Sequence, residues 1–284
     1  GWTGKAAACD LGAQTAAREL LLFLDADTRL GAEALDGLLT AHEHAGGLIS
    51  VQPHHRPIRP YEHLASYFNL VALLAGGAFA ATPPSRPVAY GPCLLTSRAD
   101  YRAVGGHATV RTAILDDVAL AAAYARAGRP VTCHTGGAAV WMRSYPSGFG
   151  QFASGWIKNF ASGAAAAAPL PTLLTVLWLC AQHAVAAGGV ALVVAAASDG
   201  PGPSAGRVAL WAGAWLAVVA QLRWMHRHTG AFRWWTRVFF PIPLAVFDVL
   251  FAISFAQTAI RGSVRWRGRP VAVRQRRGAT RERV

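Results

Sequence analysis

The chain has 284 residues, a formal net charge of +13, and 53% hydrophobic against 14% charged residues. Its charge-free stretches gather in the second half, which excludes a wholly soluble protein and fits a soluble domain fused to membrane segments. Cys9, Cys93, Cys133 and Cys180 are scattered, with no CxxC and no paired His spacing, which argues against a disulfide framework or a zinc site. The basicity is local: residues 261–284 hold nine Arg and one Glu. A short basic segment beside a hydrophobic run fits an anionic cytoplasmic leaflet, and with no recognition motif beside it no nucleic acid is expected as partner.

In chain order, residues 5–18 read as a helix. Residues 19–24 (ELLLFL) form an apolar run ending in Asp25-Ala26-Asp27-Thr28, the pattern of a buried parallel strand whose carboxyl end opens into a polar turn. Ligands of open α/β sheets bind at such ends. Residues 32–45 predict a second helix and 48–52 (LISVQ) the next strand, so the alternation argues an α/β domain. No strand precedes the first helix and the chain opens on Gly1 without Met, so the expectation is an N-terminally truncated chain. Residues 63–82 contain no Asp, Glu, Lys or Arg, yet Asn69, Gly76-Gly77 and Pro83-Pro84 interrupt or end the run, favouring a buried or interfacial helix over a span. Residues 88–96 (VAYGPCLLT) read as a strand and 99–104 as a short helix.

The membrane region is expected over 169–260, in three segments. Residues 170–198 suffice for a tilted span. Residues 208–222 are short, at about 22 Å by helical rise, with Arg207 and Arg223 placed to snorkel. Residues 238–260 carry Pro241, Pro243 and Asp248, which suggests a broken or re-entrant segment. If the first part is cytoplasmic and all three cross, the Arg-rich tail ends outside, against the positive-inside tendency, so one segment is expected not to cross fully. Arg223, Arg227, Arg233 and Arg237 make the loop between the second and third segments the firmer cytoplasmic assignment. Residues 164–168 and 198–206 read as linkers.

Two acidic pairs carry the chemistry. Asp25 and Asp27 at a strand end can project towards a divalent cation, Mg²⁺ or Mn²⁺, and a sugar nucleotide, since a hard cation offsets the charge building on a departing diphosphate. Taken alone, this spacing reads equally as a solvated turn or a helix cap. Asp116-Asp117 follows the apolar Ala113-Ile114-Leu115 and opens an Ala-rich helix. One of these carboxylates is a plausible general base, and a helix cap with a favourable dipole charge is the competing reading. Tyr90-Gly91-Pro92-Cys93 and Gly105-Gly106-His107 lie between the pairs, with His107 readable either way. Gly155-Trp156-Ile157-Lys158-Asn159 closes the soluble part, where Trp156 and Lys158 read either as acceptor-stacking and phosphate-neutralising residues or as interfacial anchors.

The order Gly1-Trp2-Thr3-Gly4-Lys5, Leu22-Phe23-Leu24-Asp25-Ala26-Asp27-Thr28, Gly91-Pro92-Cys93, Asp116-Asp117, Gly155-Trp156, Lys158-Asn159 and Trp266-Arg267-Gly268-Arg269 resembles membrane-bound family 2 glycosyltransferases. Within these, it is similar to the branch of carotenoid-acid (diaponeurosporenoate-type) and hopanoid-associated enzymes. The resemblance implies a GT-A type α/β domain over residues 1–160 that lacks its first strand, the one contacting the nucleobase, then the membrane helices and a basic tail over 261–284. It implies inverting transfer of a sugar from a nucleotide-sugar donor, a UDP-sugar, to a lipid acceptor at the cytoplasmic membrane, with the catalytic domain cytoplasmic. Asp25 would sit near the ribose or donor sugar, Asp27 on the metal, Asp117 at the acceptor proton, Lys5 on the donor side, and Trp156 and Lys158 by acceptor and phosphates. Polymer-making members carry Gln-x-x-Arg-Trp. Here Gln151 stands five before Trp156 and Gly155 replaces the Arg, which counts against processive synthesis. The other readings are a processive polysaccharide synthase, a non-catalytic membrane binding module and, resting on Asp248 alone, a transporter.

Overall fold

The computed structural model describes residues 1–77, 80, 87–113, 115–163, 168–261, 263–266 and 269–272. The Pro83-Pro84 stop, Ile114, most of the 164–168 linker, Arg267-Gly268 and residues 273–284 of the basic tail lie outside the described residues.

The chain opens with α1 (Gly4–Thr15), started by Thr3, whose hydroxyl accepts from the Ala6 N–H. There follow β1 (Leu20–Leu24), β2 (Thr28–Leu30), α2 (Ala34–Ala45), β3 (Leu48–Gln52) and β4 (His54–His55). A 3₁₀ turn (Pro60–Ala65) leads into α3 (Ser66–Gly76), then β5 (Cys93–Ser97), α4 (Arg98–Ala103), a second 3₁₀ turn (Gly106–Val110), α5 (Asp116–Arg126), β6 (Val131–Thr135) and β7 (Val140–Met142). The C-terminal part is helical: α6 (Phe149–Gly163), α7 (Pro169–Ala197), α8 (Ala205–Thr229), α9 (Trp235–Val238) and α10 (Pro241–Arg261), followed by the hairpin β8 (Ser263–Trp266) and β9 (Arg269–Ala272).

The main sheet runs β1-β5-β3-β6, with β3 and β6 parallel and the other pairs antiparallel. Its alternation feeds two apolar layers, as a pleated strand requires. Cys93, Leu95, Ile49 and Val51 face α2, while Leu94 and Leu48 face Leu120 and Tyr124 of α5. A second sheet, β2-β7-β4, flanks the first. Mixed sheets with helices on both faces, followed by three apolar helices, meet the expected α/β class.

Three sequence expectations change. First, β1 pairs antiparallel with β5 and, among the described strands, with no other, so it is half-buried rather than sandwiched. Second, the strand expected over 88–96 is restricted to its second half. Gly91 gives its N–H to Asp117 and Pro92 has none, so neither can join a ladder. Third, the prolines of the last apolar segment open the helix instead of breaking it. Pro241 and Pro243 occupy the first turn of α10, where a missing N–H costs nothing.

The apolar helices α7, α8 and α10 are long and apolar enough to cross a membrane. By helical rise α8 spans about 37 Å, because it continues past Arg223 to Thr229. Against them pack α3 and α6, through Tyr67, Phe68, Phe152, Trp156, Phe240 and Phe247. Phe68 anchors this cluster, with rings of Trp156, Phe160 and Phe247 at 4.9, 5.3 and 5.5 Å. Burying such a ring contributes roughly 1.5–3 kcal/mol.

Two contacts lock the segment between β7 and α6 to the 3₁₀ turn ahead of α3. Glu62, 3% exposed, receives a two-pronged guanidinium from Arg143 (2.7 and 3.2 Å) and the Ile58 N–H at 2.6 Å. Burial opposes ionisation of Glu62, but the Arg143 bonds and the Ile58 and Arg59 N–H groups together outweigh it and hold the carboxyl below its usual range. Tyr145 is, among the described residues, the one non-glycine with positive φ (57°). Its carbonyl accepts from the Tyr61 hydroxyl and its phenol accepts from Asn159 Nδ2. The Tyr145 ring lies over Gly155, where a β-carbon would run into the ring carbons Cε1 and Cζ.

Arg143→Met strands a buried carboxylate and should lower stability at neutral pH by on the order of 3 kcal/mol, read as a lower melting temperature in detergent. Because Glu62 has a depressed pKa in the fold, its stabilisation exists above its unfolded pKa and fades as pH falls through the folded value. The gap between variant and wild type should therefore narrow on acidification. Gly155→Ala should cost about 1–3 kcal/mol through displacement of the Tyr145 ring, and a Gly155→Ala/Tyr145→Ala double variant should recover part of it.

Candidate active site

The end of β1 builds the site. Leu24 pairs with Cys93, and the Asp25 N–H bonds to the Pro92 carbonyl at 2.9 Å, which sets Asp25 at the mouth of the sheet opposite the Gly91-Pro92 turn. The turn closes when the Thr28 N–H reaches the Asp25 carbonyl at 2.9 Å, leaving Asp27 exposed at its tip. From the other side α1 brings Lys5, whose Nζ lies 2.8 Å from Asp25 Oδ1. The start of α5 delivers Asp116 and Asp117.

Lys5, Asp25, Asp116 and Asp117 line one pocket with Cys9, Phe23, Leu24, Gly91, Leu94 and His107. Asp117 Oδ2 accepts from the Gly91 N–H at 2.8 Å, and its Oδ1 accepts from the Val118 N–H at 2.9 Å. Burial, then the neighbouring Asp116, push the Asp117 carboxyl up, while Lys5 and the two N–H bonds pull it back. Asp116 is 7% exposed, and its Oδ2 has no partner among the described residues. No side chain caps α5 at its N-cap Leu115, so Asp116 does not take the capping role open to it in sequence, while both acids stand in the first turn, where their charge favours the helix dipole. Burial opposes the charge on Lys5, yet Asp116, Asp25 and Asp117 together raise its pKa and keep it an ammonium. Asp27, outside this lining, is raised by burial and by Asp25.

His107 is placed by structure and pocket alike. Its Nδ1 lies 2.9 Å from the Tyr101 hydroxyl, which also accepts from the His107 N–H, and its ring packs against Phe23. Burial lowers its pKa, which keeps it neutral beside the acids.

Trp156 and Lys158 do not join this pocket. Both lie on α6, Lys158 half-buried, and Trp156 lines a second pocket with His55, Arg56, Glu62, Ser144, Tyr145 and Phe232. At 6% exposure and hemmed in by Phe68, Tyr145 and Phe160, Trp156 has no open ring face. The stacking role expected from sequence is therefore replaced by a core role, with its indole Nε1 unpartnered among the described residues. Burial pushes the Tyr145 phenol up, the Asn159 bond pulls it back, and the Asp27 charge adds a smaller upward push, so Tyr145 lies within electrostatic reach of Asp27. Sequence reasoning missed Tyr145, Arg56 and the Glu62–Arg143 pair. Glu62 carried a signal, as an acid just ahead of a charge-free run.

Comparison with known proteins agrees with this arrangement. The profile of glycosyl transferase family 21 matches residues 1–279. The 4,4'-diaponeurosporenoate glycosyltransferase of Staphylococcus aureus strain MRSA252 is 32% identical over 277 residues, covering 96% of this chain and 72% of the relative. Its counterparts in strains USA300 and NCTC 8325 / PS 47 are 32% identical over 278 residues, with the same coverage. With a profile match along nearly the whole chain, these relatives and three apolar helices behind an acidic pocket, the chain belongs to glycosyl transferase family 21 and is a membrane-associated glycosyltransferase.

Proposed function

We propose that the chain moves one sugar from a nucleotide-sugar donor, a UDP-sugar, to a lipid acceptor, with inversion at the anomeric carbon. The observation that carries this reading is the convergence of Lys5, Asp25, Asp116 and Asp117 at a strand end, in a chain with helices apolar enough to hold a lipid substrate. The relatives are named for 4,4'-diaponeurosporenoate, a carotenoid carboxylate, so a lipid carboxyl is the first acceptor to test. The catalytic part faces the cytoplasm in this reading, from the cytoplasmic membrane.

Among the described residues no cluster of three or more His, Cys, Asp or Glu forms a closed metal cage. A donor-bound Mg²⁺ or Mn²⁺ needs less, since one or two carboxylates plus phosphate oxygens and water complete it. Asp27 and Asp25 fit that requirement, with Asp25 already steadied by Lys5. When bound, the cation would neutralise charge on the leaving diphosphate.

The chain's own groups divide the remaining work. Lys5 holds Asp25 and adds positive charge on the donor side. Asp117 receives the acceptor proton as the acceptor oxygen bonds to the anomeric carbon and the bond to the diphosphate breaks. A lipid carboxyl held in apolar surroundings is protonated like a hydroxyl, because desolvation disfavours its charged form, so a base is needed in either case. Burial, then the charge of Asp116, raise Asp117 and make it a stronger base than an ordinary carboxylate. The altered segment at Gly155-Trp156 supports single transfer over polymer synthesis.

The test is native membranes containing the chain, incubated with radiolabelled nucleotide sugars and Mn²⁺ or EDTA. Label should enter one organic-soluble species, inverted at the anomeric centre, and vanish with EDTA or in Asp27→Ala. A long polymer would turn the reading to a processive synthase, and no turnover with any donor would turn it to a binding module.

Asp117→Asn should lower kcat by about 10²–10⁴-fold with the protein still folded. In wild type, activity should fall as pH drops through the raised Asp117 pKa. Asp116→Asn removes a like charge, so that acidic limb should move to lower pH, with a smaller loss at neutral pH.

A further inference from the structure

A second charged locus lies far along the chain from the acidic pocket, at the end of α8. The charge-free stretch of α8 stops at Leu222, and Arg223 and Arg227 follow one helical turn apart, on one face. Helix α9 packs against α8 and brings Arg237 to the same place. The three guanidiniums repel one another: the half-buried Arg237 is held below its ordinary range by burial, then by Arg223 and Arg227. The ion pairs among the described residues are Lys5–Asp25, Arg129–Asp100, Arg143–Glu62 and His183–Asp248, so no carboxylate there offsets this cluster.

Large aromatic side chains frame it. Trp224 is 62% exposed and Trp234 58%, with Phe239 beside Trp234 at 6.2 Å. Exposed Trp next to Arg, at the point where one apolar helix ends and another begins, is the composition of a membrane–water boundary. Helix α9 follows the end of α8 and leads into α10, so the cluster stands where the chain leaves one apolar helix before entering the next, at headgroup depth.

We propose that Arg223, Arg227 and Arg237, with Trp224 and Trp234 as flanking anchors, form a docking surface for the phosphate of an anionic phospholipid headgroup. Charge complementarity selects this occupant. Three guanidiniums with no counter-ion among the described residues take a phosphate as a forked hydrogen-bond partner, and the apolar flanks take the glycerol and acyl part. The surface serves to seat the end of α8 on the anionic leaflet and is independent of which sugar or acceptor the enzyme uses.

The test uses the full chain, purified in detergent, stripped of lipid and titrated with dioleoyl-phosphatidylglycerol or dioleoyl-phosphatidylcholine in mixed micelles, with bound lipid counted by native mass spectrometry. Phosphatidylglycerol should bind at least 10-fold more tightly than phosphatidylcholine. The exposed-site variant Arg223→Gln/Arg227→Gln should lose about 5-fold in that affinity per charge removed, and Arg237→Gln alone should lose a similar factor. The control Arg102→Gln/Arg126→Gln, also two exposed charges, should bind as wild type does. Equal binding of the two lipids by wild type, which needs no variant to fold, overturns the proposal. So does equal loss in the control, or inorganic phosphate displacing phosphatidylglycerol at equal concentration, which would mark a free-anion site.

Discussion

Three carboxylates and one ammonium share the mouth of the sheet, and this charge imbalance is the constraint around which the site is organised. Asp25, Asp116 and Asp117 face a single Lys5. Burying that many like charges is unfavourable unless each has a fixed partner. Asp25 has Lys5, Asp117 has two backbone N–H groups, and Asp116 keeps a buried oxygen open. The Gly91 N–H that serves Asp117 is available because Pro92 ends the ladder beside it. Sheet register, turn chemistry and acid placement are therefore one arrangement, and a change in any of them would leave a buried charge uncompensated.

The apolar helices are not an independent appendage. Tyr67 and Phe68 of α3, Phe152 and Trp156 of α6, Leu222 of α8, and Leu244 and Phe247 of α10 share one core. Backbone contacts extend the link: the Ala231 N–H reaches the His55 carbonyl, and the Ala168 N–H reaches the Ala75 carbonyl. Both ends of the α7–α8 hairpin are thus fastened to the α/β part. Tyr145, strained at positive φ and held by Tyr61 and Asn159, packs against this core just before α6. Such strain persists only where surrounding contacts over-determine it.

Much of this was legible in the residues, for physical reasons that differ by element. The LISVQ strand and the helix opening at Asp116 follow from local periodicity and charge placement: the strand forms on its expected bounds, and the helix starts at Asp116. The pairing of β1 was not legible, because an apolar run reads the same beside a parallel or an antiparallel neighbour. Trp156 misled for a related reason. A Trp in a motif announces a large ring, but only three-dimensional packing decides whether its faces are open. Prolines 241 and 243 misled because a proline stops a helix in its interior and starts one at its first turn, and the boundary itself was unknown. The Glu62–Arg143 pair spans 81 positions, beyond any local pattern.

Asp248 shows how a partner changes the meaning of a residue. In sequence it is a lone acid in an apolar stretch, which admits a transport role. In the fold His183 Nε2 lies 2.8 Å from Asp248 Oδ2, and His183 Nδ1 lies 2.7 Å from the Leu179 carbonyl. A carbonyl only accepts, so Nδ1 carries a hydrogen. The contact between His183 and Asp248 then holds one further proton, on the imidazole or on the carboxyl, and the pair is neutral overall in both arrangements. Nearby, Tyr67, Gln182, Gln221 and Trp178 exchange hydrogen bonds across α3, α7 and α8. Polar groups in an apolar helix bundle are tolerated when they satisfy one another. Asp248 therefore ties α10 to α7 without adding net charge, and that role accounts for an acid in this position without a transported ion.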